Sequence, residues 1–255
     1  MQNWKGRLRA SGIHLGLSLG IAALAAVVVF GLWYPYPYRE ISGGRSLFML
    51  VVSVDVVMGP LITLVIFNRA KPRRELMVDF SVVALLQLAA LSYGMWTVFV
   101  ARPVHVVFEY SRMSVVHAID VDATLLAKAP AALQRLPMTG PTLIALRPFK
   151  SAAESFDATM AAMGGSPLSA RSDLWQPYAD SVPDILKESK PASELVVRFA
   201  AQAEKAAHIN QAVKNSGRTL DQLRYLPLVS RESAWTILLD AKTAEPVGYI
   251  PLDPF

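Results

Sequence analysis

Asp55 is an acid inside an apolar run, Leu47 to Phe67, that is otherwise free of charge. Placing a carboxyl group in membrane hydrocarbon costs about 3 kcal/mol on insertion scales, so such a group faces a bundle interior and takes a partner. A rise of about 1.5 Å per residue, counted from the outer ends of the helices, sets Asp55 level with Ser92 and Tyr93 in a later apolar run. Two roles follow. Ser92 or Tyr93 bonds Asp55 and locks the bundle, or Asp55 meets a polar group on a partner's membrane helix. Gly12, Gly16 and Gly20, continued by Ala23, form a second candidate. Such a row lets helix backbones approach closely, either within the chain or with a foreign transmembrane helix.

The patterns of catalysis are missing. The sequence holds no nucleophile elbow, P-loop, paired-histidine metal motif or dinucleotide fingerprint, and it has no cysteine. His14, His105, His117 and His208 are scattered; His105 and His117 can face each other across a hairpin, an arrangement that reads as structural. Asp120 and Asp122 read as a solvated acid and a helix cap. The expectation is a protein that is not an enzyme and needs no cofactor or metal. On aromatic content alone, Trp175 and Tyr178 are candidate contacts outside the membrane.

Three apolar runs must position the intramembrane groups. Of the residues, 53% are hydrophobic, and the excess lies in the first hundred. Helices are expected at about 13–34, 47–67 and 77–101, each long enough to span about 30 Å of hydrocarbon. The first run is too long for a signal peptide, and no small-x-small cleavage site follows it. Trp33, Tyr34 and Trp96 suit headgroup interfaces, and Gly59 with Pro60 marks a kink in the second helix. Lys5, Arg7, Arg9, Arg69, Lys71, Arg73 and Arg74 fall on one side of the bundle, against Arg39, Arg45, Arg102 and Arg112 on the other. That bias sets the N-terminus in the cytoplasm and the C-terminal domain in the periplasm. From Arg102 onward the charges balance, 16 basic against 16 acidic, which argues against a nucleic-acid surface.

The chain thus divides into a transmembrane domain, 1–101, and a periplasmic domain, 102–255. The second reads as α+β with a mainly antiparallel sheet. A hairpin is expected at Val104–Glu109 and Met113–Ala118, a helix from the Asp122 cap to about Leu136, and a strand at Thr142–Leu146. A helix at Ser151–Met163 stops at Gly164 and Gly165. Pro191 opens a long helix through Lys214, and three strands end the chain, at Tyr225–Val229, Ala234–Leu239 and Val247–Ile250.

Four segments carry a resemblance over essentially the whole chain. They are VDVVMGPLITLVIFN (Val54 to Asn68), LLQLAALSYGMWTVFVARPVHVVFEYSRMSVV (Leu85 to Val116), LWQPYAD (Leu174 to Asp180) and WTILLDAKTAEPVGYIPLDPF (Trp235 to Phe255). In order and spacing they resemble the TfpX/TfpZ type IV pilin accessory proteins. The resemblance implies a bacterial inner-membrane factor, a chaperone or assembly modulator, that promotes assembly of a cognate type IV pilin. Its partners would be that pilin and the pilus assembly machinery. From the residues alone, the same architecture also suits a membrane-anchored periplasmic sensor or ligand-binding module.

Overall fold

Helices dominate the first hundred residues of the computed structural model, which describes residues 2–67 and 71–255. Asn68, Arg69 and Ala70, part of the expected basic connection, lie outside the described residues. Two compact units are present. One runs to Arg39 and resumes from Gly43 to Ala101; the other comprises Glu40–Ser42 and Arg102–Phe255.

Among the described residues of the first unit three helices are long and apolar enough to cross a membrane: Trp4–Trp33, Gly44–Ile66 and Arg73–Val100. Their outer faces carry bare aliphatic side chains, Leu24 at 71% exposure and Val65 at 73%, which hydrocarbon solvates and water does not. The second span changes winding at Val54–Met58, a π-turn directly before Gly59 and Pro60. Pro60 has no N–H and its ring crowds the carbonyl four residues earlier, and the wider turn relieves both faults. Asp55 sits on that turn. Close approach between spans depends on two glycines outside the Gly12–Gly20 row. A Cβ at Gly94 would come within 2.6 Å of the Val51 side chain, and one at Gly59 would collide with the Gln87 amide.

In the second unit, eight strands among the described residues form one mixed sheet in the order β4-β3-β1-β2-β6-β7-β8, with β5 beside β6. They are β1 (Pro103–Glu109), β2 (Arg112–His117), β3 (Thr142–Leu146), β4 (Trp175–Pro177), β5 (Lys190–Pro191), β6 (Leu223–Val229), β7 (Ala234–Asp240) and β8 (Pro246–Ile250). This is the membrane-anchored α+β fold that the sequence implies. Most pairs are antiparallel; β1 runs parallel to β3 and β2 parallel to β6. Every residue of β1 is buried, because the strand lies inside the sheet.

Local chemistry explains the remaining elements and two departures. Asp122 caps a helix by accepting from the backbone N–H groups of Thr124 and Leu125, but the helix ends at Leu126. Pro130 blocks its continuation to Leu136, and a 3-10 turn, Ala131–Leu133, follows. Ser151 caps Ala152–Met163. The expected single helix through Lys214 is two, Ala192–Arg198 and Ala203–Ser216. Phe199 leaves the helical path between them, buried in the core that also holds Leu195, Ile209 and Leu238. Burial of that ring outweighs the few backbone hydrogen bonds a continuous helix would add. The β1–β2 loop holds Tyr110 at φ +57, a left-handed conformation usually left to glycine. A bulky residue there costs about 1 kcal/mol or more.

Candidate binding site within the membrane helices

Asp55, from the π-turn of the second span, lines a cavity of about 250 Å³ between the three spans. The first span contributes His14 and Ser18 to its wall, and the third contributes Gln87 among aliphatic side chains. The polar groups around it form a chain. Ser11 donates to the Pro60 carbonyl at 2.8 Å. His14 Nδ1 lies 2.5 Å from the Thr63 hydroxyl, and its Nε2 lies 2.7 Å from Oε1 of Gln87. Gln87 in turn donates from Nε2 to the backbone carbonyl of Asp55 at 3.3 Å.

These bonds assign the protons. An amide oxygen only accepts, so His14 carries hydrogen on Nε2, and in the neutral ring Nδ1 accepts from Thr63. The donors of His14, Thr63 and Gln87 are thereby engaged with one another or with the backbone. The Asp55 carboxyl is left with Oδ1 buried and without a hydrogen-bond partner among the described residues. An unmatched acceptor of this kind, in a cavity inside a membrane bundle, is energetically poised for a donor from outside the chain.

The partners differ from those inferred by depth. Ser92 and Tyr93 are both exposed on the outer face of the third span, Tyr93 at 75%, while Gln87 and the nearby Gly94 face inward. Rise along a helix gives level and says nothing about rotation, and rotation here is set by the close packing at Gly59 and Gly94. Gln87 was missed, although a polar residue in an apolar span is the same signal that singled out Asp55.

The glycine row is open. Gly12, Gly16 and Gly20 are exposed, and among the described residues no side chain or other helix lies within 4 Å of where a Cβ would stand on any of them. Packing within the chain is therefore not what the row does. At about 100° per residue, these positions lie roughly opposite His14, Leu17, Ser18 and Ile21, which line the cavity. The first span presents two different faces, one polar and cavitated, one smooth.

Outside the spans, Trp175 is 1% exposed, donates from Nε1 to the Ser169 carbonyl at 2.8 Å and packs edge-on to His105. This corrects its assignment as a contact residue, since its ring is consumed by the core. Tyr178 is half-buried and donates to the Ala244 carbonyl at 2.7 Å. His105 bonds Thr142 at 2.8 Å, and burial holds its pKa down at about 4. It pairs in register with Val116, and His117 with Pro103, so the two histidines are not direct cross-strand partners. Asp120 is not simply solvated, because Arg231 donates to it at 2.5 Å. Among the described residues no group of acids and histidines could hold a metal ion.

Comparison with known proteins supplies the biological setting. A family model described as fimbrial assembly protein FimB matches residues 2–43. The fimbrial assembly protein of serogroup I from Dichelobacter nodosus is 35% identical over 233 residues, covering 91% of this chain and 90% of the relative. The serogroup E1 protein of the same organism is 33% identical with the same coverage. That of serogroups C1 and C2 is 43% identical over 113 residues, 44% of this chain and 86% of the relative. No solved structure matches the chain.

Proposed function

We propose that this chain, which belongs to the fimbrial assembly protein family and is a membrane protein of type IV pilus biogenesis, is a chaperone or assembly modulator for a cognate pilin in the bacterial inner membrane. A role in fimbrial assembly follows from the family; the manner of action is the proposal. The single observation that carries it is the buried, unpartnered Oδ1 of Asp55 in a cavity between the spans. A membrane helix of the pilin subunit, bringing a hydrogen-bond donor to that depth, would satisfy the acceptor. Release of the subunit to the growing fibre would restore the empty site. The names of the relatives speak of assembly and not of catalysis, in keeping with a binding role.

The excess of Lys and Arg before the first span and between the second and third supports a cytoplasmic N-terminus and a periplasmic C-terminal domain. The likeness of four segments to the TfpX/TfpZ proteins supports the same assignment. A second reading rests on the open Gly12, Gly16 and Gly20 face, where a partner backbone could approach closely. Site-specific photo-crosslinking in cells making native pilin separates the two, with the reactive group at Leu88 on the cavity or at Ala23 on the glycine face. Pilin captured from Leu88 supports the cavity, capture from Ala23 alone supports the glycine face, and capture from neither overturns the pilin-binding reading.

A further inference from the structure

A second cleft, of about 340 Å³, lies wholly within the sheet domain where β1 and β3 end, and the membrane reading makes no use of it. Phe108, Tyr110 and Phe149 line it with three aromatic rings. Asp184 and Glu188 stand on the same side of the helix Val182–Glu188, one turn apart, and also line the cleft. Both acids are exposed, and neither has an ion pair among the described residues. Arg147, the cation among the lining residues, is held by Glu154 through two hydrogen bonds of 2.9 and 2.7 Å. The charge left for a ligand is negative.

Tyr110 brings a further ring to the cleft. It is 62% exposed, and the hairpin holds it at φ +57 where glycine would sit without strain. The turn thereby sets an exposed aromatic ring at the cleft. Aromatic faces with carboxylates beside them suit a cation on an apolar stem: the rings attract the positive charge and pack the methylenes, and the acids bond the head. The volume falls at the small end of the range for ligand pockets, enough for one long side chain and its neighbours.

We propose that this cleft binds a lysine or arginine side chain presented by an extended peptide segment of a partner protein. The rings pack the methylene stem and the two acids bond the charged head, which a basic side chain on a peptide supplies.

The test uses the full chain in lipid nanodiscs and three acetylated, amidated pentapeptides, Ala-Ala-X-Ala-Ala with X lysine, glutamate or leucine, followed by saturation-transfer NMR. The lysine peptide binds at millimolar concentration or better, with the glutamate peptide at least tenfold weaker. The double variant Asp184→Asn, Glu188→Gln loses binding tenfold, and so does Tyr110→Gly, which removes the ring while relieving the backbone and so preserves the fold. Equal binding of the lysine and glutamate peptides, no binding of the lysine peptide, or variants that bind as the parent does would each overturn the proposal. Crosslinking from the spans bears on none of these outcomes, so the two sites stand or fall separately.

Discussion

His14 Nε2 and Gln87 Oε1, separated by 73 residues in sequence, lie 2.7 Å apart and join the first span to the third. The other nitrogen of the same ring reaches Thr63, so one imidazole links all three helices. Interhelical hydrogen bonds in membranes are individually modest, about 0.6 kcal/mol on average and up to about 1.7. Replacing His14 by Leu removes two of them and is expected to destabilise the bundle by about 1–3 kcal/mol. A double-mutant cycle with Gln87→Leu, read by thermal unfolding in detergent, should return a positive coupling energy; zero coupling would mean that the bond does not hold the bundle.

Asp55 behaves differently, because Oδ1 of its carboxyl is buried without a hydrogen-bond partner among the described residues. Asp55→Leu is expected to leave the protein level in the membrane unchanged or raised, while surface pili fall several-fold. A fall in protein level would assign the residue to the bundle itself. Normal level with normal piliation would remove it from both roles.

Gly16→Leu probes the opposite face. With no side chain or other helix among the described residues within 4 Å of the added Cβ, the substitution meets open space and replaces a poor helix former by a good one. Stability should change by less than about 0.5 kcal/mol. If the cavity receives the pilin helix, crosslinks from Leu88 persist in this variant. Their loss from a stably folded protein would move docking to the glycine row.

Acid should weaken the sheet domain before the carboxylates titrate. His105 is neutral when buried, with a folded pKa of about 4 against an unfolded value of 6.5, and burial lowers His117 as well. Between those values the unfolded chain binds more protons, so stability is full above pH 6.5 and falls as pH drops toward 4. For His105 the loss is about 2 kcal/mol at pH 5. Paired acids such as Glu154, held at about 2 by Arg147, lose their contribution only below the ordinary carboxylate range. Thermal unfolding at pH 7.5 and pH 5 should show the drop, reduced in His105→Gln. A flat profile across that interval would contradict it.

Trp175→Ala should cost about 3–5 kcal/mol, as for other large core residues, and compromise the sheet domain. Tyr178→Phe removes one hydrogen bond, worth about 1 kcal/mol. Both are measured by chemical unfolding. A folded, fully stable Trp175→Ala protein with lost pilin binding would restore the contact role that burial denies it.

What the sequence determined by itself is everything governed by local pattern or by solvent. Three long, predominantly apolar runs have one low-energy arrangement in hydrocarbon, and two β-rich runs on either side of a polar turn made the first hairpin legible. The cap at Asp122, the strand Thr142–Leu146 and the helix stop at Gly164 depend on a few neighbouring residues and were readable for that reason. Tertiary structure alone decided the rotation of each span about its axis. Depth along a helix pairs Asp55 with Ser92 and Tyr93, whereas packing at Gly59 and Gly94 turns Gln87 inward and Tyr93 out. The most conspicuous glycine row faces away from the bundle for the same reason, since a motif permits close approach and the partner that uses it is chosen by the summed packing of three helices. Likewise, composition put Trp175 and Phe199 among the large aromatics, but only closure of the sheet over its cores consumed one ring and broke a helix to bury the other. Those outcomes depend on residues far apart in the chain, where no local pattern carries the information.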